Sequence, residues 1–224
     1  MSDSQLEQHF ISFLGTSPGA DAAHDLSHIR RVVANAKMLN RHEQADWRIV
    51  HPAAWLHDCV AVPKDSDQRQ DASRLSAERA TRFLAEINYP SELLDAIGHA
   101  IAAHSFSANI KPSSLEARIV QDADRLDALG AIGIARCLLT GGQMNSRLYH
   151  PDDPFCESRT VDDRRQTVDH FFAKLFGLPD TMQTSAGRAE ARQRAEFMHA
   201  YLDRLGAEIG RPFPPPGQET RQAD

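Results

Sequence analysis

The sequence has few cysteines, and they are far apart. Cys59, Cys137 and Cys156 show none of the short paired spacings of a disulfide framework or a zinc ribbon. The chain also lacks long apolar runs, and no basic segment precedes an apolar one near the N-terminus. We therefore expect a cytoplasmic protein in a reducing compartment, with no signal peptide and no membrane span.

Positive charge is not in excess either. Lys and Arg number 25 against 31 Asp and Glu, which gives a formal net charge of −6. Broad adhesion to nucleic acid needs clustered positive charge, so we expect no stable nucleic-acid binding. A small charged substrate is compatible with this balance. An oligomer is also compatible with it, because sequence alone does not separate exposed apolar faces from core faces.

Alternation of period two, which is typical of half-buried strands, nowhere extends far enough to build a sheet. Apolar residues recur instead at helical spacing along most of the chain. Such segments begin near Leu6, Ser27, Asp46, Ala72, Ser91, Leu115, Val161 and Ala186. The sequence predicts an all-α fold with one domain over residues 1–210, followed by a Pro-rich, flexible tail over residues 211–224.

Several helix boundaries are predicted from single residues. Pro52 either breaks the helix that starts near Asp46 or opens a second piece. Ser91 is a candidate N-cap, and the helix from about Leu115 is expected to continue irregularly past Gly130. Residues 141–157 form a long polar connection, which is a candidate substrate-facing segment because long loops in compact domains are often functional.

The dipeptide His57-Asp58 directly follows the apolar run 53–56. A carboxylate is costly to bury there without a partner, and a divalent cation would be such a partner. Taken alone, the dipeptide is more typical of a core histidine that only satisfies a hydrogen bond.

His28 and Asp124 extend the set to two imidazoles and two carboxylates, a mixture suited to Mn, Mg, Fe, Ni or Zn. A metal in such a site generates a nucleophilic hydroxide from water. Two alternatives stay open. The acidic run 122–127 is also typical of a solvated helix face, and His24, one turn from His28, competes as a ligand or caps the helix start.

Four segments occur in a recognisable order. They read HDLSHIRRV at 24–32, AAWLHDCV at 53–60, HAIAAHSFS at 99–107 and VQDADRLDALGAIGIAR at 120–136. This ordered set resembles the HD-domain superfamily of metal-dependent phosphohydrolases, and within it the small bacterial stand-alone HD hydrolases. The resemblance implies a helical HD-domain fold with the metal site between core helices.

The resemblance also implies the ligands and the reaction. It assigns the divalent metal ion to His28, His57, Asp58 and Asp124, and it favours His28 over His24 because the xxRV helix follows His28. The implied function is hydrolysis of a nucleotide. Metal-bound water attacks a phosphate ester or phosphoanhydride bond of this substrate.

Further residues are assigned to the reaction as a hypothesis. Asp58 orients the water and acts as a base, while His104 and Lys64 stabilise the phosphate. Arg69 and His99 are additional substrate-binding candidates, although ordinary solvent exposure explains Lys64 and Arg69 as well. His99 and His104 lie about 140° apart on a continuous helix, so both enter one pocket only if the helix ends between them, and we favour His104.

Other functions fit the same residues. The resemblance also reaches cyclic-nucleotide phosphodiesterases and dinuclear-metal oxygenases, and the dinuclear type needs both His99 and His104 as ligands. A non-catalytic, metal-stabilised binding module is a third reading. Some nucleotidases of the superfamily carry an acidic residue just after the HD aspartate, whereas residues 59–62 here are apolar. Asp127 is expected to support Asp124 from one turn further on.

Overall fold

A computed structural model describes residues 3–15, 26–60, 71–105 and 108–214. Within them the chain is helical, and its only strand-like pairing is an isolated bridge between Arg147 and Gln166. The all-α prediction is confirmed. No helix in these ranges is both long and apolar enough to cross a membrane. The α-helices are α1 Asp3–Gly15, α2 Leu26–Glu43, α3 Trp47–Leu56, α4 Ala72–Glu86, α5 Leu94–Ala102, α6 Leu115–Leu126, α7 Gly130–Gln143, α8 Asp169–Ala173, α9 Leu178–Thr181 and α10 Ser185–Ile209.

Helix α3 is continuous although it contains Pro52. Proline has no N–H to donate to the carbonyl four residues earlier, which here belongs to Arg48. The hydroxyl of Tyr89 donates to that carbonyl instead, at 2.7 Å. Asp46 caps the start of the helix by accepting from the Arg48 backbone N–H. Both predicted alternatives for Pro52 are therefore wrong, because a distant side chain satisfies the carbonyl that proline leaves open.

Two other boundaries differ from the predicted ones. Ser91 opens a short 3₁₀ turn, Ser91–Leu93, and provides no cap to α5. The helix that starts near Leu115 ends at Leu126 and does not run past Gly130. Gly130 has φ +70°, a left-handed conformation that glycine adopts readily, and a separate helix α7 begins there. Similarly, the helical pattern from Val161 yields only the short helix α8.

The chain divides into two compact units. The first comprises residues 1–127 with Gln183–Gly187, and the second comprises Ala128–Met182 with the chain from Arg188 onward. In the first unit, α2, α3, α5 and α6 pack on one another, and α4 packs on α5. Its fully buried core side chains include Val32, Leu39, Leu56, Leu84, Ile97, Ile101, Ile119 and Leu126. One domain over residues 1–210 stays a prediction, and most of the predicted tail, 215–224, lies outside the described residues.

Carboxylates order the long connection of the second unit. Asp153 accepts hydrogen bonds from the backbone N–H groups of Glu157, Ser158 and Arg159. The fully buried Asp169 accepts two hydrogen bonds from the Arg159 guanidinium, at 2.5 and 2.6 Å. A buried charge is stabilised by such a bidentate partner. A substrate-facing role for residues 141–157 stays a prediction.

Asp122 is fully buried in the first unit and anchors the segment that starts at Gln183. Its carboxylate accepts from the backbone N–H of Gln183 at 2.9 Å and from that of Thr184 at 2.8 Å. The Thr184 hydroxyl also donates to it, at 2.7 Å. Burial raises the pKa of Asp122, and these hydrogen bonds act in the opposite direction.

The turn after Thr184 leaves no room for a side chain at Gly187. A Cβ there would overlap Asp122 Oδ2 and lie 2.8 Å from Thr184 Oγ1. We expect Gly187→Ala to lower the free energy of unfolding by about 1–3 kcal/mol, the usual cost of overpacking a core. Urea denaturation tests this. Gly142→Ala is the matched control, because a Cβ at Gly142 meets nothing within 4 Å. Equal stabilities of the two variants would contradict the prediction.

Candidate metal centre

Three helices of the first unit bring the four predicted ligands together. His28 lies in the first turn of α2, Asp124 in the last turn of α6, and His57-Asp58 directly after α3 ends at Leu56. Residues 49–56 of α3 are all buried, so the chain leaves this helix inside the protein. His57 is fully buried as a result, whereas Asp58 and Asp124 keep 23% and 29% of their side chains exposed. The site is therefore buried on one side and open on the other.

The ligand atoms of His28, His57 and Asp58 all lie within 4.8 Å of one another, and Asp124 approaches this group from the side of the two histidines. His28 Nε2 lies 3.4 Å from His57 Nε2, 3.4 Å from Asp124 Oδ1 and 3.9 Å from Asp58 Oδ2. His57 Nε2 lies 3.5 Å from Asp58 Oδ2 and 3.8 Å from Asp124 Oδ1. These separations exceed ordinary hydrogen bonds. They are close to the ligand spacing of about 3.0–3.4 Å around an ion with bonds of about 2.1 Å.

The other ring nitrogen of each histidine fixes its tautomer. His28 Nδ1 lies 2.7 Å from Asp127 Oδ2, and His57 Nδ1 lies 2.9 Å from the carbonyl oxygen of Ala54. Both partners only accept, so each Nδ1 carries a hydrogen, and the Nε2 atom of each ring is the one that faces the other ligands. Burial lowers the pKa of His57, which keeps its ring neutral. Two imidazole nitrogens and two carboxylates are thus brought together, a donor set that fits a divalent cation.

The Asp127 carboxylate bonds to His28, whereas its expected support of Asp124 takes the form of a backbone hydrogen bond, from the Asp127 N–H to the Asp124 carbonyl at 3.0 Å. The Asp127 carboxylate also accepts from the Arg31 guanidinium, with Nε at 2.6 Å and Nη2 at 3.0 Å. Asp127 is almost fully buried at the end of α6, where it faces α2. Arg31 was not predicted as a site residue. It lies about one turn after His28, in the segment HDLSHIRRV at 24–32.

His104 joins the centre on the side of Asp58. It is buried just beyond the end of α5, and its Nδ1 donates to the Ile101 carbonyl at 2.6 Å. Its Nε2 lies 3.3 Å from Asp58 Oδ1. Burial lowers the pKa of His104, but the hydrogen bond and charge of Asp58 raise it more, to about 9. A protonated His104 therefore faces the ligand cluster as a donor and a cation.

Other predicted residues lie elsewhere. The His99 ring contacts Ser113, with Nε2 accepting from the backbone N–H at 3.1 Å and lying 2.8 Å from the hydroxyl. Within the described ranges, His99 forms no hydrogen bond or ion pair with the four clustered ligands. Helix α5 ends at Ala102, between His99 and His104, and only His104 reaches the cluster. Lys64, Arg69 and His24 lie outside the residues that the structure describes.

Known proteins resemble this chain in sequence and in fold. Residues 25–129 match the HD domain family. The uncharacterized protein YpgQ of Bacillus subtilis is 34% identical over 192 residues, which cover 84% of this chain and 85% of that relative. A crystal structure of Bacillus subtilis YpgQ in complex with ADP is 33% identical, covers 97% of this chain and 98% of that one, and has a TM-score of 0.71.

A second solved structure, an HD-superfamily hydrolase from Bacillus thuringiensis, is 32% identical. It covers 93% of this chain and 99% of its own length, with a TM-score of 0.72. The predicted resemblance is confirmed by these matches, which extend over both compact units. The chain belongs to the HD superfamily of hydrolases.

Proposed function

We propose that this chain is a metal-dependent phosphohydrolase. Its substrate is a nucleotide, in which attack of water cleaves a phosphate ester or phosphoanhydride bond. The cluster of His28, His57 and Asp58, with Asp124 beside the two histidines, carries this proposal. The ADP bound to the related YpgQ structure supports a nucleotide as the ligand.

The four residues would hold a divalent ion through two nitrogens and two oxygens, a set compatible with Mn, Mg, Fe, Ni or Zn. When bound, such an ion polarises a phosphoryl oxygen and lowers the pKa of water, which supplies the nucleophile at neutral pH. The partial exposure of Asp58 and Asp124 leaves the open side of the cluster to substrate and water.

Asp58 connects the ligand cluster with His104. Its Oδ2 faces the two histidine ligands, while its Oδ1 lies 3.3 Å from His104 Nε2. In this position Asp58 orients the attacking water and accepts its proton. His104, as a buried cation, stabilises negative charge on the phosphate and protonates the leaving oxygen. Lys64 is assigned to the same phosphate, and Arg69 and His99 to the remainder of the substrate.

A single metal ion is favoured over a dinuclear centre. A second ion would need His99 and His104 as ligands, yet His104 points its Nε2 at Asp58 and His99 contacts Ser113. This arrangement favours the mononuclear hydrolase over the dinuclear oxygenase. Two alternatives are hydrolysis of cyclic nucleotides and non-catalytic metal binding. The experiment described next distinguishes both from the proposed function.

The test is a panel of metals against substrates. Protein stripped with a chelator is reloaded with Mn, Mg, Fe, Ni or Zn in turn. Each form is assayed on nucleoside mono-, di- and triphosphates, cyclic nucleotides and an aryl phosphate. We expect hydrolysis of a nucleotide only after reloading, with close to one metal ion bound per chain. If no compound of the panel is hydrolysed although metal is bound, the proposed function is refuted. A stoichiometry near two metal ions per chain would refute the mononuclear centre.

A further inference from the structure

A cavity of about 460 Å³ lies in the first compact unit. Ser105, Lys111, Gln121, Arg125 and Gln183 contribute to its walls. Its volume is within the range of small-molecule sites, about 300–1,000 Å³. The roles proposed above use none of these residues.

The cavity shares its two wall segments with the metal centre. Ser105 follows His104 directly, and Arg125 follows Asp124 on α6. Neighbouring residues on a helix point about 100° apart, so α6 presents Asp124 to the metal centre and Arg125 to the cavity.

Two cations line the cavity. They belong to Lys111 and Arg125, and none of the described lining residues is acidic, while the carboxylates of Asp122 and Asp124 act on Arg125 from outside the lining. The chain as a whole has a formal net charge of −6, so this concentration of cations departs from the average surface. Arg presents a planar fork of donors that suits phosphate oxygens. The cavity therefore favours an anion of the phosphate type.

Gln121 adds a directional acceptor. It is only 3% exposed, and its Nε2 donates to the carbonyl of Ala103 at 2.7 Å. This bond fixes the amide orientation, because a flipped amide would place two oxygens against each other. Gln121 Oε1 is then buried with no hydrogen-bond partner within the described part of the chain. Leaving such an acceptor unpaired is unfavourable, so a ligand that donates to it gains affinity.

The opposite wall is held in place by the buried Asp122. Gln183 lines the cavity, and its backbone N–H donates to Asp122 at 2.9 Å. Asp122 thereby fixes this wall while Asp124, two residues on, faces the metal centre.

We propose that this cavity is a second subsite for the nucleotide, adjacent to the metal centre. Arg125 and Lys111 bind a phosphoryl group that does not react, and Gln121 Oε1 accepts a hydrogen bond from a ribose hydroxyl. This inference rests on the proposed function insofar as the reacting phosphoryl group of the same nucleotide lies at the metal centre.

Binding of α,β-methylene-ADP tests the phosphate part, because turnover does not cleave its anhydride position. Calorimetry on the metal-loaded full chain gives its Kd at low and high salt. We expect Arg125→Gln to weaken binding at least about tenfold, as loss of a charge-assisted contact does, and to reduce its salt dependence. Arg82→Gln, a change of the same type at an exposed site outside the cavity, should leave the Kd unchanged. Arg125→Lys should recover part of the affinity.

The ribose contact is tested by removing the donor from the ligand. The 2′,3′-dideoxy form of the same probe should bind the wild-type chain about fivefold more weakly, the effect of one hydrogen bond. Gln121→Met should remove this difference between the two probes. If loss of the ribose hydroxyls weakens binding by the same factor in the wild-type chain and in Gln121→Met, the assignment to Gln121 is wrong.

The outcomes separate this inference from the proposed function. Arg125-dependent binding without hydrolysis of any nucleotide would leave the subsite standing and refute the function. Nucleotide hydrolysis with equal Kd values for Arg125→Gln and Arg82→Gln would leave the function standing and overturn the subsite. Melting temperatures of each variant identify any that fail to fold, and the dideoxy comparison on the wild-type chain decides the ribose contact in that case.

Discussion

Asp124→Asn is expected to lower metal-dependent turnover by about 1,000-fold or more. Asp124 Oδ1 lies 3.4 Å from His28 Nε2 and 3.8 Å from His57 Nε2, and it supplies one of the two carboxylates of the cluster. A bound metal ion contributes several kcal/mol of transition-state stabilisation, and each 1.36 kcal/mol corresponds to a factor of ten in rate. An amide at position 124 keeps the shape but removes the charge that attracts the ion.

In the Asp124→Asn variant, loss of metal binding can be distinguished from loss of the fold. Asp124 is 29% exposed, so the substitution changes no buried packing. Asp95→Asn on α5 is the matched control, since it removes one carboxylate charge at an exposed helical position. Turnover is measured at increasing metal concentration, and circular dichroism follows helical content. Wild-type turnover in the Asp124 variant, with its fold intact, would exclude Asp124 as a ligand.

Asp127→Asn is expected to weaken metal binding by about 10- to 100-fold, the usual effect of changing a residue that orients a histidine ligand. Asp127 accepts from His28 Nδ1 at 2.7 Å and pairs with Arg31. Removing its charge lowers the electron density on the His28 ring and no longer favours the tautomer with a free Nε2.

A positioning role leaves a specific signature. Metal affinity, measured by competition with a chromogenic chelator, should fall for Asp127→Asn and stay unchanged for Asp95→Asn. Turnover at saturating metal should recover most of its wild-type value, because Asp127 holds a ligand and does not contact substrate. A purely structural role would instead lower the melting temperature without changing the affinity of the folded protein for metal, and that outcome would contradict the assignment.

The helices and the clustering of the predicted ligands follow from the sequence to a large extent. In α2, the apolar residues Ile29, Val32 and Ala36 recur at helical spacing, and all are buried as that pattern predicts. The HD dipeptide lies after a run of buried residues, which also followed from the order of residues. Local periodicity and motif order carry this information because they depend on few long-range contacts.

The features that the sequence did not reveal depend on contacts between distant residues. Pro52 stays inside α3 because the hydroxyl of Tyr89 satisfies the carbonyl of Arg48. Asp127 serves His28 because α6 packs on α2, a direction that spacing within α6 does not give. The cavity lined by Gln121 and Arg125 depends likewise on Gln183, which lies far from α6 in sequence.

Anomalous diffraction from crystals of the full chain soaked with Mn²⁺ is the most direct test of the metal centre. The four-ligand centre predicts one strong peak per chain, in contact with His28 Nε2, His57 Nε2, Asp58 Oδ2 and Asp124 Oδ1. No peak at this position, or a peak held by a different set of side chains, would contradict the account.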